Sequence, residues 1–174
     1  MRKLILITSV LLMGVMATPA SAEEGRGSIG IGSYGLTVAP KIGVSDSFFG
    51  AALVGTYDFT DSISVAGHYY ALTHDASTAI EMNGLDVMVR VGKNGLGFTY
   101  FGALGLYSET LSAPSISTAT FDYSGGLLGY GIGYNWESVS LTWEGSIRST
   151  GDYEGDSGVS VVAATGSLNL AYRF

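Results

Sequence analysis

From about Ser28 to Phe174 the chain alternates apolar and polar positions with a period of two, interrupted only by clusters of Gly, Asn, Asp and Ser. Successive side chains of a strand point to opposite faces, so this pattern predicts half-buried strands, and no 3.6-residue helical period competes with it. Eight such segments can be read. The first covers 28–38, with apolar Ile29 and Ile31 followed by Tyr34, Leu36 and Val38. Its change of phase near Gly32-Ser33 predicts a β-bulge. The second, 49–59, aligns Ala51, Leu53, Gly55, Tyr57 and Phe59, and the third aligns Ile63, Val65, Gly67, Tyr69 and Ala71. The fourth, 83–91, aligns Leu85, Val87, Val89 and Val91, and the fifth runs through Leu96, Phe98, Tyr100, Gly102, Leu104 and Leu106. Leu128, Tyr130, Ile132 and Tyr134 mark the sixth, 121–135, and Val139, Leu141, Trp143, Gly145 and Ile147 the seventh. The eighth, 159–174, shows Gly166, Leu168, Leu170, Tyr172 and Phe174.

The connections also alternate. Short turns at 60–62, 92–95 and 136–138 interleave with longer loops near 39–48, 73–82, 110–120 and 149–158. An even strand count with short turns at one end and long loops at the other is the pattern of a transmembrane barrel, and a soluble sandwich gives no reason for it. Pro40 and Pro114 fall in loops, where no ladder hydrogen bond is lost. Tyr57, Phe59, Tyr134, Trp136, Tyr172 and Phe174 gather at strand ends beside the short turns, as an interfacial aromatic girdle does. The expected fold is all-β: an eight-stranded antiparallel up-and-down transmembrane barrel.

The first residues carry a different signal. Arg2-Lys3, an apolar run from Leu4 to Met16 and the small-x-small site Ala20-Ser21-Ala22 predict a signal peptide over 1–22, leaving 23–174 as the barrel domain. That apolar run is shorter than the about 20 residues a spanning helix needs. Only 13% of the chain is charged, and there is no cysteine, which removes disulfides and thiolate metal sites from consideration. Without Arg2 and Lys3 the eight basic residues become six against fifteen acidic, a net charge of −9 that speaks against nucleic-acid binding.

The opposite parity of each strand defines the lumen, which in an eight-stranded barrel is just wide enough to be filled by side chains. Asp58, His68, Asp86, Met88, Arg90, Thr99, Phe101, Tyr107, Glu144, Ser146, Arg148, Asn169 and Arg173 are the expected inward residues. Charges there must be paired, because a lone buried charge is costly. Counting from the short turns predicts a salt-bridge ladder centred on Asp86, Arg90 and Glu144. Arg90 is within reach of Asp58, while Arg148 lies nearer the outer rim and Arg173 near the opposite end. Inward Gly125, Gly129, Gly131 and Gly133 on the sixth strand would leave room for the arginines and Phe101.

The run from Leu168 to Phe174 ends in aromatic-x-Phe with apolar residues at every second position, and Gly131-Ile132-Gly133-Tyr134 lies upstream. In these features the chain resembles the small eight-stranded outer-membrane barrels of the OmpX and Ail/Lom type. The resemblance implies an outer-membrane location, with Leu168, Leu170, Tyr172 and Phe174 serving as a signal to the barrel assembly machinery. It implies a non-enzymatic structural or surface-interaction role, in membrane integrity or adhesion. Outer-membrane lipid, lipopolysaccharide and surface proteins are the partners it implies for a monomer, and no cofactor is expected.

Two alternatives keep a foothold. An inward His68 with Ser64 or Ser146 nearby would suit a lipid A deacylase-like hydrolase, although no His-x-Ser pair is present. A narrow pore is opposed by a filled lumen. In the last loop, Asp152, Glu154 and Asp156 alternate as hard oxygen ligands for Ca²⁺ or Mg²⁺ do, but the match to a full calcium loop is poor. Lys41 is the loops' one clear cation, so polyanion binding is disfavoured electrostatically, and contact with proteins through Phe48 or Tyr153 stays open.

Overall fold

A computed structural model describes residues 27–114 and 120–174, so the cleavage site at Ala20 and Ala22 lies outside the described residues. Eight strands follow one another: β1 (Gly27–Pro40), β2 (Asp46–Asp58), β3 (Ile63–His74), β4 (Ser77–Lys93), β5 (Gly97–Ser112), β6 (Thr120–Asn135), β7 (Val139–Arg148) and β8 (Val161–Arg173). A short helix, α1 (Gly151–Ser157), stands between β7 and β8. Each strand pairs antiparallel with its neighbours and β1 pairs with β8, giving a closed barrel in sequence order. Closure is completed by reciprocal backbone hydrogen bonds between Gly27 and Phe174, at 2.9 and 3.0 Å.

The period-two pattern sorts as expected for the outer wall of β2 to β8, which bulky apolar side chains line, while the inside mixes the polar residues with buried apolar ones such as Leu72, Met82 and Leu127. Leu53, Leu104, Leu106, Leu128, Ile147 and Leu170 are each more than half exposed on the outer wall. Such a surface requires lipid around it, because water would leave a continuous apolar belt unsolvated. Among the described residues no helix is long and apolar enough to cross a membrane; the strands cross it. At the end bearing the short turns, the rings of Tyr57 and Phe59 meet at 5.1 Å and those of Tyr134 and Trp136 at 4.7 Å, forming the girdle.

Three expectations are corrected. First, β1 has no bulge: it runs in unbroken register against β2 from Gly27 to Val38 and against β8 from Ser28 to Pro40. Tyr34, Leu36 and Val38 therefore face the lumen, and Ser33, Gly35 and Thr37 face out. The phase change in the sequence reflects inward apolar and aromatic residues on the upper part of β1, and among the described residues the register shift lies instead at Thr73/His74 between β3 and β4. Second, 73–82 is no long loop. β3 and β4 continue upward and join at a turn of Asp75 and Ala76, where the Ala76 N–H donates to His74 Nδ1 at 3.1 Å. Third, 149–158 contains α1, and β8 starts two residues later than 159, at Val161.

Candidate functional site

Inward side chains from every strand but β6 make two stacked polar clusters separated by height in the lumen. The inner one is built on Arg90 of β4. Its Nη2 donates to Glu144 Oε1 at 2.6 Å and lies 3.4 Å from His68 Nε2, while Nη1 donates to Thr56 Oγ1 at 3.3 Å. Asn169 Nδ2 also donates to Glu144 Oε1, at 3.0 Å. The guanidinium lies over the Phe101 ring, 4.6 Å from its centroid. Phe101 in turn fills the space that the missing side chain of Gly131 leaves, since a Cβ there would come within 2.4 Å of its Cζ. Below this cluster, Arg173 Nη2 approaches Asp58 Oδ2 at 3.9 Å, and its Nη1 donates to the Trp136 carbonyl at 2.9 Å.

The outer cluster is built on Arg148 of β7, whose side chain is fully buried. Nη1 donates to Glu109 Oε2 at 2.5 Å and Tyr70 Oη at 3.1 Å. Nη2 donates to Tyr34 Oη at 2.7 Å and to both Asp86 oxygens at 2.8 and 2.9 Å. Tyr34 donates to Asp86, and Tyr70 donates to Glu109 Oε2 at 2.7 Å. The Tyr34 and Tyr70 rings stack at 4.4 Å, and Arg148 lies 4.6 Å from the Tyr107 centroid. The Tyr70 hydroxyl reaches past Gly84, where a Cβ would lie 2.3 Å from it. One guanidinium thus holds two buried carboxylates, with tyrosine hydroxyls completing their coordination.

The sequence-predicted residues Asp58, His68, Asp86, Arg90, Glu144, Arg148 and Arg173 all line the lumen, but the pairing differs from the expected ladder. Asp86 joins Arg148 and not Arg90, although its Cα is opposite that of His68. Tyr34, Tyr70 and Glu109 belong to the network and escaped sequence reasoning. Plain parity would have found the last two: Tyr70 is two residues from His68 and Glu109 two from Tyr107.

His68 is 2% exposed and stands beside Arg90 and Glu144, 3.7 Å from the latter. Ser64 is engaged by Asn94 Nδ2 at 3.2 Å and Ser146 by Thr165 at 2.6 Å, so neither serine is set against the imidazole. Phe48 and Tyr153, expected as loop contacts, both point into the barrel and are buried. Asp152 accepts from the Ser124 N–H at 2.9 Å, and Glu154 accepts from Thr150 Oγ1 and the Val161 N–H, each at 3.2 Å. These carboxylates brace the outer rim. Among the described residues no three potential ligands gather to hold a metal ion.

Small cavities lie among these side chains. One of about 40 Å³ opens among Asp58, Arg90, Asn94, Asn135 and Arg173 at the end with the short turns, room for about three waters. Another, about 10 Å³ beside His68, Asp86 and Glu144, holds one water at most. Buried Tyr34, Tyr70, Met88, Phe101, Tyr107 and Arg148 occupy the lumen around them.

Outside the lumen, β4, β5 and β6 have 17, 16 and 16 residues, against the about 9–11 that a tilted strand needs to cross a bilayer. The excess projects as a sheet beyond the outer rim. β6 pairs with β5 up to Thr120, whereas its pairing with β7 begins only at Leu127. Thr120, Phe121 and Asp122 are exposed there, and Thr110 Oγ1 donates to Asp122 Oδ1 across the hairpin at 2.7 Å.

No family model and no curated protein matches the chain. Solved structures do. The attachment invasion locus protein Ail of Yersinia pestis is 20% identical with a TM-score of 0.57, over 87% of this chain and 99% of that one. Neisserial surface protein A is 12% identical with a TM-score of 0.61, over 86% and 97%. The outer-membrane protein OprG of Pseudomonas aeruginosa is 15% identical with a TM-score of 0.52, over 87% and 97%. At these identities the likeness is one of fold: the closed eight-stranded barrel of outer-membrane proteins.

Proposed function

We propose that this chain is a monomeric, non-enzymatic outer-membrane barrel that acts through its projecting sheet, in surface attachment and membrane integrity. The observation that carries this reading is the upper end of β6: Ser149 and Asp152 still cover Gly126 and Ser124, but among the described residues no strand pairs with exposed Thr120, Phe121 and Asp122 on the side away from β5. A strand edge with free backbone groups and a neighbouring aromatic is a template for an extended segment of another protein. The filled lumen supports a role without transport, and the blocked serines around His68 support one without hydrolysis. One solved relative by fold, Ail, was crystallised with the heparin analogue sucrose octasulfate. Here the outer end carries Asp46, Asp75, Asp122 and Asp152 against Lys41, so protein surfaces suit this chain better than polyanions. Lipid and lipopolysaccharide surround the belt, and the assembly machinery reads Leu168, Leu170, Tyr172 and Phe174.

The test is attachment of cells displaying the barrel to immobilised extracellular-matrix protein, comparing wild type with Thr120→Pro/Phe121→Ser. The double variant is expected to fold and to lose most of the attachment. Unchanged attachment by a folded variant would sink the proposal. Lipid A mass spectra with and without the protein are expected to be identical.

A further inference from the structure

We propose that α1 is a lid on the outer mouth, and that Tyr153 occupies, as a built-in ligand, a lumen site that takes small phenols. This inference does not rest on the attachment reading, though Tyr123 and Ser124 of β6 adjoin the edge used there. A seven-residue helix is far below the length that is stable alone, so α1 is held by what it docks on. Its flanks are pinned: the Ser149 N–H donates to Gly126 O at 2.8 Å, the Tyr107 hydroxyl donates to Ser149 O at 2.5 Å, and the Lys41 N–H donates to Ser160 O at 2.8 Å. Between the pins, Gly158 ends the helix in the left-handed region (φ 69°), the break that lets the chain turn back toward β8.

Tyr153 of α1 enters the barrel and is 6% exposed. Its ring stacks on Tyr123 with centroids 4.2 Å apart and 17° between planes, and its hydroxyl donates to Glu109 Oε1. The floor beneath does not need α1. Glu109 Oε2 is already held by Arg148 and Tyr70, and Arg148 by Asp86, so Oε1 stays aimed at the mouth whether or not Tyr153 is there. A flat aromatic wall beside a fixed carboxylate oxygen is the complement of a phenol: the ring stacks and the O–H donates. An aromatic without a donor would leave the buried oxygen unpartnered, and an anion would be repelled by it.

The experiment titrates p-cresol and toluene into refolded wild type and Tyr153→Ala by calorimetry. The variant is expected to bind p-cresol at least tenfold more tightly than wild type does. Toluene is expected to bind the variant about tenfold to a hundredfold more weakly than p-cresol, the range set by one hydrogen bond to a charged acceptor. Equal affinity of p-cresol for both proteins, or of both compounds for the variant, overturns the site. For the lid, hydrogen exchange of wild type should show amides of 150–158 exchanging at least a hundredfold faster than those of β7 and β8. Exchange of α1 in step with the strands overturns it. Should Tyr153→Ala fail to refold, Tyr153→Phe keeps the ring and loses the hydroxyl. Its α1 amides should then exchange about tenfold faster with the strands unchanged, and an unaltered α1 rate would count against the latch.

Discussion

Replacing Arg148 with methionine keeps most of the side-chain volume but strips two buried carboxylates of their shared cation. The guanidinium is within 2.5–2.9 Å of Glu109 and Asp86, and all three side chains are at most 1% exposed, so water cannot substitute. Breaking a buried ion pair by removing one partner costs about 3–5 kcal/mol. Further loss comes from the Tyr34 and Tyr70 hydroxyls, which keep their carboxylates but lose the arginine. At a urea slope of about 2 kcal/mol per molar, the unfolding midpoint should fall by roughly 1.5–2.5 M. Trp136 and Trp143, both on the outer wall, report the transition by fluorescence in micelles or bilayers. The decisive comparison is the triple variant Arg148→Met/Asp86→Asn/Glu109→Gln. With no charge left to strand, it should recover to within about 2 kcal/mol of wild type, because neutral replacements of buried pairs are tolerated. A single variant costing under about 1 kcal/mol, or a triple variant no better than the single, would refute the reading of Arg148 as the charge centre of the outer lumen.

Gly131→Leu should cost at least about 1–3 kcal/mol, read as a lower temperature of heat-modified gel migration, because the side chain would enter the space of Phe101. The same change at outward Gly102, where nothing lies within 4 Å, should be close to neutral. Leu168→Arg on the lipid wall should cost about 2–4 kcal/mol, whereas Ser108→Arg near the outer rim should cost about 0–1, both measured by urea titration in bilayers. Planar-bilayer recordings of the wild type should show no conductance, since the cavities hold about three waters and at most one. Reproducible single-channel steps would contradict the packed lumen.

Most of the wall was legible in the sequence because lipid imposes the same demand on every strand, so seven strands could be assigned outward faces by parity alone. β1 was misread because two environments meet along it. Ile29 and Ile31 face lipid, while Tyr34, Leu36 and Val38 turn inward, Tyr34 to the Arg148 cluster and Leu36 and Val38 to buried apolar neighbours, so hydrophobicity does not mark the outside. The inward residues were likewise legible, but not their partners. Parity fixes the side of the sheet and says nothing of how far tilt and a long side chain carry a charged group. Counting along the strands pairs Asp86 with Arg90, whereas the long Arg148 side chain is the one that reaches it. The upper parts of β3 and β4 read as loop because beyond the bilayer neither face needs to be apolar, and the alternation fades while the backbone pairing continues.

The pairing of β1 with β8 has a kinetic consequence. Ser28 can meet Arg173, and Gly27 can meet Phe174, only after nearly the whole domain has been made and delivered. Every other strand pair is a local hairpin, but the ring has no partial version in which both its edges are satisfied, so contacts of the longest sequence separation come last and slowly. Until that moment the β1 and β8 edges are sticky and half the side chains are apolar. The chain must therefore travel open and guarded, and its commitment to the bilayer is a single late event.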